Sequence, residues 1–260
     1  MPEHRVVVVG GGVIGVCCAY FLSKEGADVT LVERGQIGDG ASGGNAGTIA
    51  AGHPPLNKPG RIRRSITELL DPTSPLYIPL RWDPGLVRWL WTFRRFCTDR
   101  YLDASMSALA PLGHATLKLF DSLVEEEALN CAYERAGYYE ICHTEKGLDE
   151  AKKDAAMMLA HGYHPRTLTG GELLEIEPAL LDGVIGGIHF PDAATCDPYR
   201  FVVELADRAA RHGGRFQTGQ RVAEILSTGS QVKGIRLGNG EVLEADSVVL
   251  ATGAYGGHLT

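Results

Sequence analysis

The chain has 260 residues, 44% of them hydrophobic, enough to bury one large core or two smaller ones. A net charge of −7 and a pI near 5.7 offer no basic field for a nucleic-acid backbone, so nucleic acid is not an expected partner. No apolar run reaches the roughly 18–20 residues of a membrane-spanning helix. The first strand begins too close to Met1 for a signal peptide, so the expected location is cytoplasmic. Cys17, Cys18, Cys97, Cys131, Cys142 and Cys196 form no Cys-x-x-Cys pair and no zinc-like spacing; they read as small buried hydrophobes, and no metal is expected.

From Arg5 to Glu33 the chain offers a buried strand, a glycine turn, an amphipathic helix, a second strand and a terminal acid, the order of a dinucleotide site. Val6 to Val9 is a β-branched run suited to a parallel strand covered on both faces. Gly10 permits the tight turn, Gly12 lets backbone approach a pyrophosphate, and Gly15 lets the helix pack closely on the strand. The helix begins near Val13 and Ile14, with its positive end toward the phosphates. Ile14, Cys18, Leu22 and, on the flank, Phe21 recur at helical spacing and predict the face turned to the sheet. Gly26 ends the helix. Val29, Leu31 and Val32 make the second strand, and Glu33, 21 positions after Gly12, stands where a carboxylate accepts hydrogen bonds from a ribose. A carboxylate there repels a 2′-phosphate, which argues against NADP. By itself the turn leaves NAD and FAD nearly level.

Gly35 to Thr48 is dense in glycine and small polar residues. One reading is a flexible linker, oddly placed directly after a ribose-binding acid. The other is a close-fitting loop beside the cofactor, whose small residues let backbone N–H groups reach polar ring atoms.

The glycine turn Gly10 to Gly15, the pair Glu33-Arg34, and the loop Ala41-Ser42 and Asn45-Ala46-Gly47-Thr48 together resemble the first FAD-binding region of the D-amino-acid oxidase group of FAD-dependent oxidoreductases. The likeness is greatest to its D-amino-acid dehydrogenase small subunits, with glycine oxidases, sarcosine oxidases and hydroxyproline dehydrogenases as neighbours. It runs through essentially the whole chain. It implies an α/β fold: an FAD-binding Rossmann-like domain with an inserted α+β substrate domain. Residues 1–50 would form the first part of the FAD-binding domain, 51–195 mostly the substrate domain with helical insertions, and 196–260 the return to the FAD-binding domain.

Ala50 to Pro84 is rich in proline and predicts a loop with short helices. The resemblance places its beginning near the flavin ring, which makes His53 a candidate substrate-lining residue, with a surface-loop histidine as the equal alternative. Asp83 to Phe96 predicts a capped helix in which Trp82, Trp89, Trp91, Phe93 and Phe96 sit among Arg81, Arg88, Arg94 and Arg95. Its alternatives are an ordinary half-buried helix and one lying on a membrane surface, a peripheral contact on the inner face of the plasma membrane.

A second helix spans about Asp103 to Leu129, and the acidic run Glu125 to Glu127 reads as a solvated face. A strand over Gly137–Cys142, a helix over Glu145–His161, a capping box at Thr169 and Glu172, a strand over Gly186–Pro191 and a helix from Asp197 toward Gly213 follow. Tyr138, Tyr139, His189 and Asp192 are weak candidates for a substrate cavity. Short β patterns then lead through the Gly238-Asn239-Gly240 hairpin turn to a last buried strand and a glycine turn. By the resemblance, Val222 pairs its backbone with adenine, and Ala251-Thr252-Gly253 closes over the pyrophosphate or ribose.

The resemblance implies FAD-dependent oxidative deamination of D-amino acids to 2-oxo acids and ammonia, with electrons passing to a quinone or similar acceptor. Alternatives are an oxygen-using glycine or sarcosine-type amine oxidase, a hydroxyproline dehydrogenase, an NAD-dependent dehydrogenase, and a non-catalytic nucleotide-binding subunit or inactive fragment. The family normally continues past the equivalent of Thr260, so a fragment, or a second subunit supplying the remaining half, is expected. No catalytic residue is assigned, because the flavin carries the chemistry.

Overall fold

The computed structural model describes residues 4–55, 58–60, 65, 68 and 83–258. Most of the expected loop and short helices over Ala50–Pro84, with Arg81 and Trp82, lies outside the described residues. The chain forms two compact units, Met1–Ile49 with Phe120–Glu134 and Thr195–Thr260, and Ala50–Leu119 with Arg135–Ala194.

The first unit is built on a parallel sheet in the order β12-β1-β2-β8, from Ser247–Leu250, Arg5–Val9, Asp28–Val32 and Arg215–Gln217. The Rossmann-like α/β expectation is borne out. The pleat explains the valine run: Val6 and Val8 enter one core and Val7 and Val9 the other. Helices α1 (Val13–Lys24) and α6 (Pro198–Arg211) cover the first face, with Val16, Ala19, Tyr20, Phe201 and Leu205 at the centre. The second face rests on an antiparallel sheet, β11-β10-β9, through Val222, Ile235 and Leu237. Its strands are Val222–Thr228, Gln231–Leu237 and Val242–Glu244. Strand β3 (Thr48–Ile49) follows the small-residue loop.

The buried face of α1 differs from the predicted one. Gly15, Val16, Ala19, Tyr20 and Ser23 are buried, whereas Ile14 is 64% and Phe21 43% exposed, with Cys18 and Leu22 between. Small residues decide the rotation. A Cβ at Gly15 would run into the Gly10 carbonyl oxygen, so the helix can approach the turn closely only with its glycine and alanine side inward.

The acidic run is corrected in part. Glu125 and Glu126 are exposed, but the Glu127 side chain is only 16% exposed, and its Oε1 accepts from the fully buried Tyr20 hydroxyl at 2.5 Å. Lys24 donates to the same hydroxyl at 3.0 Å, and Arg208 donates to the Glu127 carbonyl at 3.0 Å. A buried phenol needs such partners, and the periodicity of the run alone could not announce them.

In the second unit, β4 (Tyr138–Cys142), β6 (Gly186–Phe190) and β5 (Arg166–Thr169) form an antiparallel sheet in the order β4-β6-β5. Strand β5, too short for a legible alternation, was not predicted. Leu148, Ala151, Ala155 and Met158 of α4 (Glu145–Ala160) share a core with Ile188 and Phe190 of the sheet. The capping box opening α5 (Gly170–Ile176) is present in both directions. Asp83 caps α2 (Pro84–Phe96), accepting from the Leu86 amide at 3.1 Å. Helix α3 (Asp99–Glu126) carries the chain from this unit into the first, and β7 (Ala194–Thr195) marks the later return.

No disulfide joins any of the six cysteines, all of which are described residues. Burial pushes the Cys17 and Cys196 thiols up to about 11, which suits packing rather than thiolate chemistry.

Candidate nucleotide-binding site

The carboxyl ends of β1, β2 and β12 converge in the first unit, the position where open α/β sheets bind ligands. Gly10 donates to the Val32 carbonyl at 2.9 Å, and Ala251 donates to the Val9 carbonyl at 2.8 Å, so the glycine turn lies between the other two strand ends. Gly10 has φ of +113°, and any Cβ there would meet the Ala251 carbonyl oxygen. Only glycine fits.

The N-terminal turn of α1 follows. By helix geometry the amides of Gly12, Val13, Ile14 and Gly15 have no intrahelical partner, and Gly12 at the N-cap has no side chain to supply one. Ser42 does so from 29 residues away, its Oγ accepting from the Val13 amide at 2.9 Å. A Cβ on Gly12 would stand 3.0 Å from that Oγ. The Gly38 amide donates to the Gly11 carbonyl at 3.0 Å, a second pin between loop and turn.

The loop is also tied internally. Asn45 donates from Nδ2 to the carbonyls of Ala41 at 3.0 Å and Ser42 at 2.8 Å, while its Oδ1 accepts from the Gly47 amide at 2.7 Å. Gly47, at φ +70°, accepts from the Cys196 amide at 3.0 Å. The flexible-linker reading therefore fails. Asn45 builds the loop with its side chain, and Ala41, Ala46 and Thr48 are exposed along it.

Glu33 is held on two sides. Its Oε2 accepts from the Gly11 amide at 2.7 Å and its Oε1 from the Gly35 amide at 2.8 Å. Its backbone is paired with Gln217 at 2.9 Å and Gln220 at 3.0 Å. Each carboxylate oxygen retains acceptor capacity after one such bond, so the anchored group can still take ribose hydroxyls. The chain direction at Gln220 leads directly into Val222, which is 7% exposed and packed with Val9 and Val32.

On the other side, Thr252 accepts from the Tyr255 amide at 3.2 Å, and Gly253 has φ of +58°. Tyr255 lies under the exposed Arg34 guanidinium, 4.5 Å from its ring centroid. Sequence reasoning missed Tyr255. It also named Ser42 without seeing that it caps the helix; the signal was a helix opening on glycine, which needs a capping oxygen from elsewhere.

Gly10, Gly12, Val13, Ile14, Gly15, Glu33, Arg34, the Ala41–Thr48 loop, Val222 and Ala251–Gly253 all belong to the first unit, and Glu33, Ser42 and Ala251 are bonded directly to the glycine turn, its flanking strand or the first residue of α1. The residues fit an adenosine dinucleotide: a cradle a Cβ would fill, a helix N-terminus for phosphate, and an anchored carboxylate for ribose.

His53 is in the second unit. Its Nδ1 is 2.7 Å from the Pro54 carbonyl, which can only accept, so Nδ1 carries the proton. Its ring stacks on Tyr138 at 5.8 Å. The Tyr138 hydroxyl is buried with no hydrogen-bond partner among the described residues, and burial pushes its pKa up, with Glu140 and Asp154 adding to the shift. Tyr139 stacks on His189 at 4.5 Å, and Asp192 accepts from the His164 amide at 2.6 Å, which gives Asp192 a structural partner.

Residues 5–260 match the family model DAO, FAD dependent oxidoreductase. The chain is 32% identical over 257 residues to a D-amino acid dehydrogenase of Methylobacterium nodulans, covering 96% of this chain and 61% of that protein. Among solved structures it is similar to glycine oxidase from Geobacillus kaustophilus, with a TM-score of 0.71 and 24% identity over 99% of this chain and 58% of the other. Glycine oxidase from Bacillus cereus ATCC 14579 gives 0.68 and 22%, over 99% and 57%. L-proline dehydrogenase from P. horikoshii gives 0.68 and 20%, over 100% and 55%. These structural likenesses establish the fold alone. The chain spans about three fifths of the length of the dehydrogenase it matches. The glycine turn, the anchored acid and a match running from the first strand to the last residue make this chain a member of the DAO family of FAD dependent oxidoreductases.

Proposed function

We propose that this chain supplies the FAD-binding framework of an enzyme that oxidises D-amino acids to 2-oxo acids and ammonia, passing electrons to a quinone or similar acceptor. The observation that carries the substrate class is the 32% identity to a D-amino acid dehydrogenase across nearly the whole chain.

FAD, when bound, supplies the acceptor for the substrate α-hydrogen, which leaves as hydride; water then hydrolyses the substrate imine to the 2-oxo acid and ammonia. The chain's own work is binding and orientation. Glu33 receives ribose hydroxyls, the first turn of α1 faces phosphate, and Ser42 holds the small-residue loop against that turn. Arg34 and Tyr255 brace the turn after β12. Val222 is the proposed backbone partner of adenine, and His53 a proposed substrate-lining residue. A second polypeptide or further segment completing the substrate site is part of the proposal, because the chain spans 61% of its dehydrogenase relative.

The test is anaerobic turnover of D-amino acids with a soluble quinone, compared with oxygen, by the protein complete with any companion polypeptide. Quinone-dependent loss of D-alanine is expected. Oxygen-dependent turnover of glycine or sarcosine without D-amino-acid activity would replace this reading by an oxidase.

A further inference from the structure

We propose that the outer face of α3 is an interface between two copies of this chain, packed antiparallel about a twofold axis. This inference is independent of the reaction above. Helix α3 is apolar on two sides. Met106, Ala110 and Leu117 are buried along one of them. On the other, Tyr101, Ala104, Ala108, Leu112, Ala115 and Leu119 are all exposed, and at about 100° per residue they fall within a sector of about 80°. Tyr101 is 43%, Leu112 65% and Leu119 56% exposed. The stripe is about 27 Å long and holds no charged side chain, the composition of a surface that rests against another apolar one.

Shape selects a second copy. Along the stripe Leu112 stands between Ala108 and Ala115, and Ala104 and Ala108 follow one another without a large residue between them. With the two helices antiparallel, Leu112 of one copy falls against Ala108 and Ala115 of the other, and Leu119 enters the space over Ala104 and Ala108. Each leucine meets a place where the opposing side chains lack bulk, so the helix axes can approach to about 8 Å.

Charge fixes the direction. Arg100 lies just before the stripe and Glu125 beyond its end, both exposed and within about 20° of each other around the helix axis, so they flank the same side. A parallel pair would set Arg100 against Arg100 and Glu125 against Glu125. The antiparallel pair sets each Arg100 toward Glu125 of the other copy, twice by symmetry, in the way that flanking charges set helix orientation in coiled coils. Lys118, on the same flank, then faces Ser107, and no like charges are opposed. One helix pair is a small interface, so the dimer is expected to dissociate on the order of micromolar concentration.

In analytical ultracentrifugation the purified chain should pass from its monomer mass of 27.9 kDa toward twice that value as concentration rises. L112E, at a position outside the core, should weaken the dimer by about ten-fold or more. Charge reversal tests the direction separately. R100E and E125R should each weaken association by about three-fold or more, and the R100E/E125R double variant, which restores opposite charges across the twofold, should recover it. A chain that stays monomeric up to about millimolar concentration, a dimer indifferent to L112E, or a double reversal no tighter than either single one overturns the proposal.

Discussion

Glu33→Gln removes a charge at the centre of the nucleotide site with almost no change in volume. Both carboxylate oxygens accept backbone amides, from Gly11 at 2.7 Å and Gly35 at 2.8 Å. Glutamine keeps one acceptor and turns the other into an NH₂ group facing an N–H, so one backbone donor loses its partner. A hydrogen bond to a charged group contributes about 1.5–3 kcal/mol, and for a chain of this size Tm falls by about 2–4 °C per kcal/mol. The expected loss in Tm of the cofactor-free protein is therefore about 3–12 °C. In the proposed role of Glu33 a ribose hydroxyl would lose its charged acceptor at the same time, so FAD affinity should drop about ten- to a hundred-fold. Flavin-fluorescence titration reads this directly, and ADP and FMN locate it: ADP should weaken by the same factor, and FMN, which lacks the adenosine ribose, should not change. FAD and ADP affinities within about twofold of the unsubstituted protein, with an unchanged Tm, would refute the role given to Glu33.

Ser42→Ala removes the cap on the Val13 amide; about 1 kcal/mol of stability should be lost, with faster amide exchange across Gly38–Gly47 in hydrogen-exchange mass spectrometry. Tyr20→Phe leaves the mostly buried Glu127 carboxylate without its phenolic donor and should cost about 1–3 kcal/mol in urea denaturation; an unchanged midpoint would mean that the clamp contributes nothing. The Thr169 backbone amide and then its hydroxyl hold the Glu172 carboxyl below its usual range. That contribution is present above the unfolded pKa near 4.3 and is lost as pH falls through the lower folded value, so amides of α5 should lose protection on acidification. Glu172→Gln should abolish this dependence.

How much could be read in advance is clearest at particular residues. The Thr169–Glu172 box and the Asp83 and Asp197 caps are local hydrogen bonds spanning three residues, and their spacing alone specifies them. The valine run needed only its β-branched composition. Strand β5 was invisible because four residues supply too little alternation. Glu127 was misread because the groups it satisfies, Tyr20 and Arg208, are far away in the chain.

The sequence by itself determined the nucleotide turn, since glycine is demanded at Gly10 by backbone geometry and the distance to Glu33 follows from one helix and one strand. Tertiary structure decided which face of α1 is buried, because the contact between Gly15 and the Gly10 carbonyl sets the helix rotation more strongly than its larger apolar residues do. It also decided that Ser42 caps that helix and that the glycine-rich stretch is a stapled loop. Helical and strand periods are properties of neighbours in sequence, whereas a buried polar atom must find its partner wherever the fold brings one within hydrogen-bonding distance.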